Sequence, residues 1–109
     1  MTYRYIKQFV RSSKEVEFYT DSPDFLQHVH DNYIKTGKCL KFRESEFFDD
    51  EELVISQTSL WISQEIFQEF ANDPVLAVEI EKLISYNQEH KIRLLDLIEE
   101  ELLDDNDSL

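Results

Sequence analysis

The apolar positions along the chain follow two periods, which separate predicted strands from predicted helices. Residues 3 to 10 are rich in aromatic and β-branched types, and residues 15 to 19 alternate apolar and charged side chains as a half-buried strand does. A turn at Ser12-Ser13 is expected between these two strands. Ser22-Pro23 then combines an N-cap residue with a proline at the first helical position. A helix is therefore predicted to follow.

The apolar stripe of this first helix ends close to the one glycine of the chain. The stripe consists of Phe25, Leu26, Val29, Tyr33 and Ile34. Gly37 lies just past it, where a left-handed C-terminal cap is favoured. Residues 39 to 47 alternate again, and Leu53 to Trp61 is another run of β-type residues. Because the acidic run Asp49 to Glu52 separates them, we expect a hairpin with a solvated turn.

Two further helices are predicted after the hairpin, each with its own start signal. Ser63 can cap the first, and Glu65 falls in its first turn, where a carboxylate interacts favourably with the helix dipole. Asp73-Pro74 starts the second, whose stripe continues to about Tyr86. That stripe comprises Leu76, Ile80, Leu83 and Ile84.

The C-terminal end can be interpreted in two ways. The apolar stripe lapses from Asn87 to Lys91, and the segment from Ile92 to Leu103 fits either a strand to about Leu97 or a helix. The order of elements predicts an α+β fold, an antiparallel sheet with helices on one face. We expect one domain over residues 1–98. Residues 99–109 are expected to form an acidic tail, either disordered or a helical extension.

Charge is distributed unevenly along the 109 residues. Residues 1 to 43 carry eight Lys or Arg against five Asp or Glu, whereas residues 44 to 109 carry three against nineteen. The two parts thus have net charges of +3 and −16, which give the total of −13. Such a chain repels bare nucleic acid and anionic membranes and attracts basic proteins. We therefore expect a basic protein partner and no direct contact with nucleic acid or membrane.

The compartment is predicted from cysteine usage and from the absence of targeting patterns. Cys39 is the one cysteine, so no internal disulfide can form. The first residues lack a signal-peptide pattern, and no apolar stretch approaches the roughly 20 residues of a membrane span. A cytoplasmic protein is expected. Lys38 and Lys41 flank Cys39 and can lower a thiol pKa, although a lone strand cysteine is usually buried and inert.

Several kinds of chemistry are excluded by the sequence. One glycine cannot supply a Gly-x-Ser-x-Gly elbow, a phosphate-binding P-loop or a dinucleotide fingerprint. His28 and His30 would point about 200° apart on a helix, whereas metal-binding pairs need spacings of i, i+3 or i, i+4. No cofactor, metal site or catalytic residue is therefore assigned.

Carboxylates of the second half are the candidate partner-binding residues. They are Glu65, Glu69, Asp96, Glu99, Glu100, Glu101, Asp104, Asp105 and Asp107. On helices, Glu65 with Glu69, and Asp96 with Glu100 and Asp104, would line up about 6 Å apart. Such rows can present a DNA-like field to a basic groove. The alternative is a solvated helix face that keeps a small protein soluble.

Two resemblances bear on fold and function. The passage from Trp61 to Pro74 resembles the strand-to-helix passage of the dimeric α/β-barrel proteins, including antibiotic-biosynthesis monooxygenases, in which an aromatic strand end precedes a Ser-x-Glu-x-Phe-x-x-Phe helix. The Val-x-Phe-Tyr segment (Val16 to Tyr19), Tyr33 to Lys38, the Asp-rich turn and Tyr86-Asn87 are similar to segments of small tailed-phage proteins. These resemblances imply a ferredoxin-like sheet and a homodimer, and they carry no catalytic residue.

These observations lead to one preferred function and two alternatives. The preferred function is a non-enzymatic acidic interaction protein of the phage accessory type, which binds a basic host or viral protein, in one version by DNA mimicry. The first alternative is a small homodimeric monooxygenase-like enzyme, whose pocket would draw on Trp61, Tyr33, Tyr86 and His30. The second is a virion or assembly component.

Overall fold

Four strands and three α-helices are present in a computed structural model, which describes residues 2–11 and 13–102. The strands are β1 (Thr2–Val10), β2 (Cys39–Asp49), β3 (Glu52–Trp61) and β4 (Arg93–Leu102). The helices are α1 (Pro23–Val29), which continues as a π-helical segment (His30–Ile34), α2 (Gln64–Ala71) and α3 (Pro74–His90). None of them is long and apolar enough to cross a membrane within the described ranges.

The four strands form one antiparallel sheet in the order β2-β3-β1-β4. The predicted α+β class is therefore confirmed. The central strand β1 pairs with β3 on one side and with β4 on the other, so that Tyr3 lies opposite Trp61 and Glu101. Strands β2 and β4 are the two edges of the sheet.

Alternation along β1 separates two faces of the sheet. The side chains of Tyr3, Tyr5, Lys7 and Phe9 share the face on which the helices pack, here called the helix face. Arg4, Ile6, Gln8 and Val10 share the opposite face, here called the open face. Every neighbouring strand follows the same division through its register with β1 or β3.

The main core lies between the helix face and the helices. Trp61 is fully buried at its centre, and its ring centroid lies 4.7 Å from that of Phe70 and 5.7 Å from those of Tyr33 and Phe67. Tilted and edge-on aromatic pairs of this kind add about 0.5–1.5 kcal/mol each to the stabilisation from burial. A smaller cluster of Phe9, Ile55 and Ile92 lies near the other end of the sheet.

Residues 15 to 19 do not form the predicted strand. The reason is topological: β1 already has a partner on each side, so no edge of it is left for a following strand to pair with. Val16 and Phe18 instead pack against the cluster around Phe9. The turn predicted at Ser12-Ser13 falls partly on Ser12, which lies outside the described residues.

The start of α1 also differs from the prediction. Pro23 occupies the first turn as expected, but the Ser22 hydroxyl makes no capping hydrogen bond. It donates a 2.7 Å hydrogen bond to Glu79 of α3. A buried carboxylate without hydrogen bonds costs more free energy than a helix end that water can reach. Gly37 has a φ of 80°, which confirms the left-handed conformation predicted for it.

The hairpin and the two following helix starts agree with the sequence. Asp50 and Glu51 form the turn between β2 and β3, both with positive φ. Ser63 Oγ accepts a hydrogen bond from the Ile66 amide, and Asp73 Oδ1 accepts one from the Val75 amide. The predicted Ser63 cap and the predicted helix start at Asp73-Pro74 are therefore confirmed.

The C-terminal segment is a strand and not a helix. Helix α3 continues past Tyr86 to His90, and Lys91 then turns the chain with a φ of 58°. Strand β4 pairs with β1 along its length to Leu102, so the tail boundary expected at residue 99 falls inside the sheet. The helical row is consequently wrong for Asp96 and Glu100, since strand residues four apart are separated by about 13 Å instead of about 6 Å. Residues 103–109 lie outside the described part.

Candidate functional site

A cleft of about 260 Å³ opens between the helix face and helices α1 and α3. It exists because the edge strand β2 extends beyond the cover of the helices, and the Phe42 side chain stays 36% exposed there. Its walls are largely apolar. The main apolar lining residues are Phe25, Leu26, Phe42, Leu76, Ile80 and Leu83.

Lys7 lies on the floor of this cleft, on the central strand. Its position on the helix face places the side chain under the helices, between Gln57 of β3 and Leu97 of β4. Burial lowers the pKa of the Lys7 ammonium below its ordinary value, and the nearby Asp21 carboxylate opposes that shift. The ammonium lies 5.5 Å from the centre of the Phe9 ring.

Asp21 lines the same cleft from the segment that leads into α1. Burial raises the pKa of its carboxyl to about 6, and the negative charges of Glu44 and Glu79 add to that rise. Lys7 acts in the opposite direction. Within the described residues, Asp21 forms neither a hydrogen bond nor an ion pair shorter than 4 Å, so its charge is left without a direct partner.

Glu79 anchors the segment that carries Asp21. It is 4% exposed and accepts hydrogen bonds of 2.7 Å from the Tyr19 hydroxyl, the Ser22 amide and the Ser22 hydroxyl. Burial alone would raise its pKa, but these hydrogen bonds stabilise the ionised form and lower the pKa below the ordinary value. The residues on both sides of Asp21 are thus fixed to α3.

A second polar network joins α1 to the start of α3. Asp73 Oδ2 lies 2.6 Å from His28 Nε2 and accepts a 2.6 Å hydrogen bond from the Tyr33 hydroxyl. Although burial would raise the pKa of Asp73, these bonds and the Val75 amide lower it. Since Asp73 also caps α3, this network has a structural role.

The predicted carboxylates on α2 share one side of that helix. Glu65 and Glu69 are four residues apart in a helical segment, as expected. Glu69 is bound to Lys38 over 2.7 Å. The charge of Glu69 is therefore compensated by a residue of the same chain.

The predicted carboxylates of β4 are divided between the faces of the sheet. Glu99 and Glu101 lie opposite Tyr5 and Tyr3 on the helix face, whereas Asp96 and Glu100 lie on the open face. Glu100 forms an ion pair with Arg4. The four carboxylates of β4 make this edge strongly acidic. Asp104, Asp105 and Asp107 lie outside the described residues.

The residues considered for an enzyme pocket do not converge. Trp61 and Tyr33 belong to the main core, Tyr86 packs against the other cluster, and His30 has a largely exposed side chain. Trp61 lines neither this cleft nor a shallower one near His28. Burial also raises the pKa of the Cys39 thiol to about 11. The group therefore stays a protonated thiol at neutral pH and is a poor nucleophile.

Metal binding finds no support in the part of the chain that is described. No group of three or more His, Cys, Asp or Glu side chains there is placed to hold an ion.

No protein-family model and no curated protein matches the chain.

Sequence reasoning missed the polar residues of the cleft, although two of them left a signal. Lys7 occupies the helix-face position in the alternation of β1, where an apolar residue is expected. Glu79 interrupts the apolar side of α3 between Leu76 and Ile80. Asp21 left none, because its position depends on the bonds from Tyr19 and Ser22 to Glu79.

Proposed function

We propose that this chain is a non-enzymatic acidic interaction protein, of the phage accessory type, which binds a basic host or viral protein along the edge strand β4. The observation that carries this proposal is the composition of that edge. Four carboxylates, Asp96, Glu99, Glu100 and Glu101, lie within six residues of a strand whose outer side pairs with no other strand of the described residues.

An edge strand is able to bind an extended segment of another protein. Its outward main-chain groups can form hydrogen bonds with an added strand, and its alternating side chains select the sequence of that strand. A second copy of β4 would bring carboxylates against carboxylates and be repelled. A segment rich in Lys or Arg is therefore the favoured occupant.

DNA mimicry is supported by the spacing of the charges. Consecutive strand residues rise by about 3.4 Å, which equals the axial spacing of phosphates along one strand of DNA. Glu99 to Glu101 carry one carboxylate per residue rise along the strand, with Glu99 and Glu101 on one face and Glu100, which is paired with Arg4, on the other. A basic groove that follows a phosphate backbone is a suitable kind of partner.

A direct test uses a synthetic decapeptide of alternating Lys and Thr as the probe. We expect it to bind with strong salt dependence and to protect β4 amides from hydrogen exchange. The triple variant Asp96→Asn/Glu99→Gln/Glu101→Gln should bind about tenfold more weakly, since each removed pair contributes a few tenths to 1 kcal/mol. The unaltered chain and this triple variant then serve as baits in a bacterial lysate.

The matched control is Glu15→Gln/Glu81→Gln/Glu89→Gln, which alters three exposed carboxylates elsewhere. Both triple variants change the net charge from −13 to −10, so net charge alone cannot separate them. Equal weakening in the two variants would contradict a contact at β4. Unchanged protection of the β4 amides would contradict it as well.

We further propose that the fold is ferredoxin-like and that the chain forms a homodimer through the open face. The strand order β4-β1-β3-β2, with helices between β1 and β2 and between β3 and β4, supports the first point. The open face supports the second. It carries the 41% exposed Phe47 and the basic Lys41 and Arg43 on β2, and the acidic Asp96 on β4.

This distribution of charge is self-complementary. A two-fold axis parallel to the strands would place the β2 edge of one copy over the β4 edge of its partner, so that opposite charges meet. Light scattering should give twice the 13.1 kDa of the chain. Lys41→Glu/Arg43→Glu should dissociate the dimer, and adding Asp96→Lys should partly restore it. A monomer mass for the unaltered chain in moderate salt would reject the proposal.

A further inference from the structure

The cleft contains two opposite charges that do not pair with each other. Lys7 lies on its floor and Asp21 on its wall, and their charges act on one another. No ion pair shorter than 4 Å joins them, nor does either have another such partner in the described ranges. Both side chains line the same cleft without contacting each other directly.

Both charges are held in place by the fold. Lys7 extends from a strand that is hydrogen-bonded on both sides, and Asp21 lies between Tyr19 and Ser22, which are bonded to Glu79. A partly buried charge without a partner costs free energy, which a bound group of opposite sign recovers. Binding would require little rearrangement, because the positions are already fixed.

The other carboxylates of the cleft are already engaged. Glu79 accepts its three hydrogen bonds, and Glu44 accepts a hydrogen bond of 2.8 Å from the side-chain amide of Gln57. Asp21 is thus the acceptor left for a ligand cation. Lys7 is the cation placed over the sheet floor for a ligand anion.

The remaining surface is suited to an apolar group of moderate size. A benzene ring fills an engineered cavity of about 150 Å³, so the 260 Å³ cleft has room for such a ring and a polar head beside it. Phe25, Leu76 and Leu83 provide apolar contacts from the helices. The ligand should therefore carry a positive group, a negative group and an apolar body.

We propose that the cleft binds a free α-amino acid with a large apolar side chain. Its ammonium group pairs with Asp21, its carboxylate pairs with Lys7, and its side chain lies against Phe25, Leu76 and Leu83. Both ligand charges are neutralised in the site. Binding is consequently far less sensitive to salt than contact of a basic protein with β4, so the two proposals can fail separately.

Calorimetric titration with L-phenylalanine and two truncated probes tests this site. Phenethylamine lacks the carboxylate, and 3-phenylpropionate lacks the ammonium group. We expect L-phenylalanine to bind the unaltered chain, and each truncated probe to bind about tenfold more weakly because one charge-assisted contact is missing. Amide shifts around β1 and α3 should locate the binding.

Two variants assign the roles of the charged residues. Lys7→Met keeps the aliphatic stem and should remove the advantage of L-phenylalanine over phenethylamine, whereas Asp21→Asn should remove its advantage over 3-phenylpropionate. Lys14→Met and Glu15→Gln, at exposed positions, are matched controls and should change neither ratio. Circular dichroism checks that each variant is folded.

Three outcomes would overturn the proposal. They are the absence of L-phenylalanine binding at millimolar concentration, equal binding of all three probes, and unaltered probe ratios in both cleft variants. Equal binding would mean that the cleft recognises only the apolar ring. None of these results bears on the β4 contact, which is measured with a basic peptide.

Discussion

At the scale of single residues, the position of a charge matters more here than its presence. Glu79 and Asp21 are both carboxylates of the same cleft, yet hydrogen bonds lower the pKa of Glu79 while burial and neighbouring carboxylates raise that of Asp21 to about 6. The two therefore affect stability with opposite signs. Glu79 stabilises the fold while it is ionised, and ionised Asp21 destabilises it.

The Asp21 effect predicts a specific dependence on pH. A carboxyl whose folded pKa is raised contributes stability below its unfolded pKa, and loses that contribution as pH rises through the folded value of about 6. Asp21→Asn should therefore have the free energy of unfolding of the unaltered chain near pH 4. At pH 7 it should be more stable, on the order of 1 kcal/mol after allowance for partial exposure.

Urea denaturation at several pH values between 4 and 7 measures this difference. Comparison of variant with unaltered chain removes the contributions that they share, including those of Glu79 and Asp73. Asp24→Asn, at an exposed position nearby, is the control and should show no such trend. A constant difference between Asp21→Asn and the unaltered chain across the range would show that the prediction is wrong.

At the scale of elements, local signals determined the starts of helices and the hairpin. Ser63 and Asp73 cap their helices as the sequence indicates, because capping depends on residues within one turn. The segment at 15 to 19 and the segment at 92 to 103 needed more than local information. Residues 93 to 102 occupy the edge of β1 that residues 15 to 19 would have needed for pairing.

The β2-β3 turn gives a prediction at this scale. Asp50 and Glu51 have φ values of 50° and 71°, which L-residues adopt at a cost. Asp50→Asn/Glu51→Gly introduces the pair that such two-residue turns prefer. It should raise the free energy of unfolding by about 1 kcal/mol, with an unchanged m-value in urea.

Asp50→Asn/Glu51→Ala is the matched control for that variant, because it removes the same two charges without supplying a glycine. It should gain little, since alanine is strained at positive φ. Equal stabilisation of both variants would assign the gain to relief of charge repulsion in the acidic turn.

At the scale of the whole molecule, the fold redistributes the charge that the sequence separates along its length. Basic β1 is placed beside acidic β4, so that Arg4 pairs with Glu100, and Lys38 of the first half pairs with Glu69 of α2. The charge that remains is polarised across the sheet, with Lys41 and Arg43 on the β2 edge. The proposed partner contact and the proposed dimer both follow from this arrangement.

The sequence by itself determined the α+β class, the hairpin, the helix caps and the acidic character of the second half, because each depends on residues that are close together in the chain. Only the tertiary structure decided that β4 completes the sheet and that the cleft contains Lys7, Asp21 and Glu79. These placements depend on contacts between distant residues, such as the hydrogen bond from Tyr19 to Glu79 across 60 positions. No local pattern encodes which distant partner a polar side chain will meet.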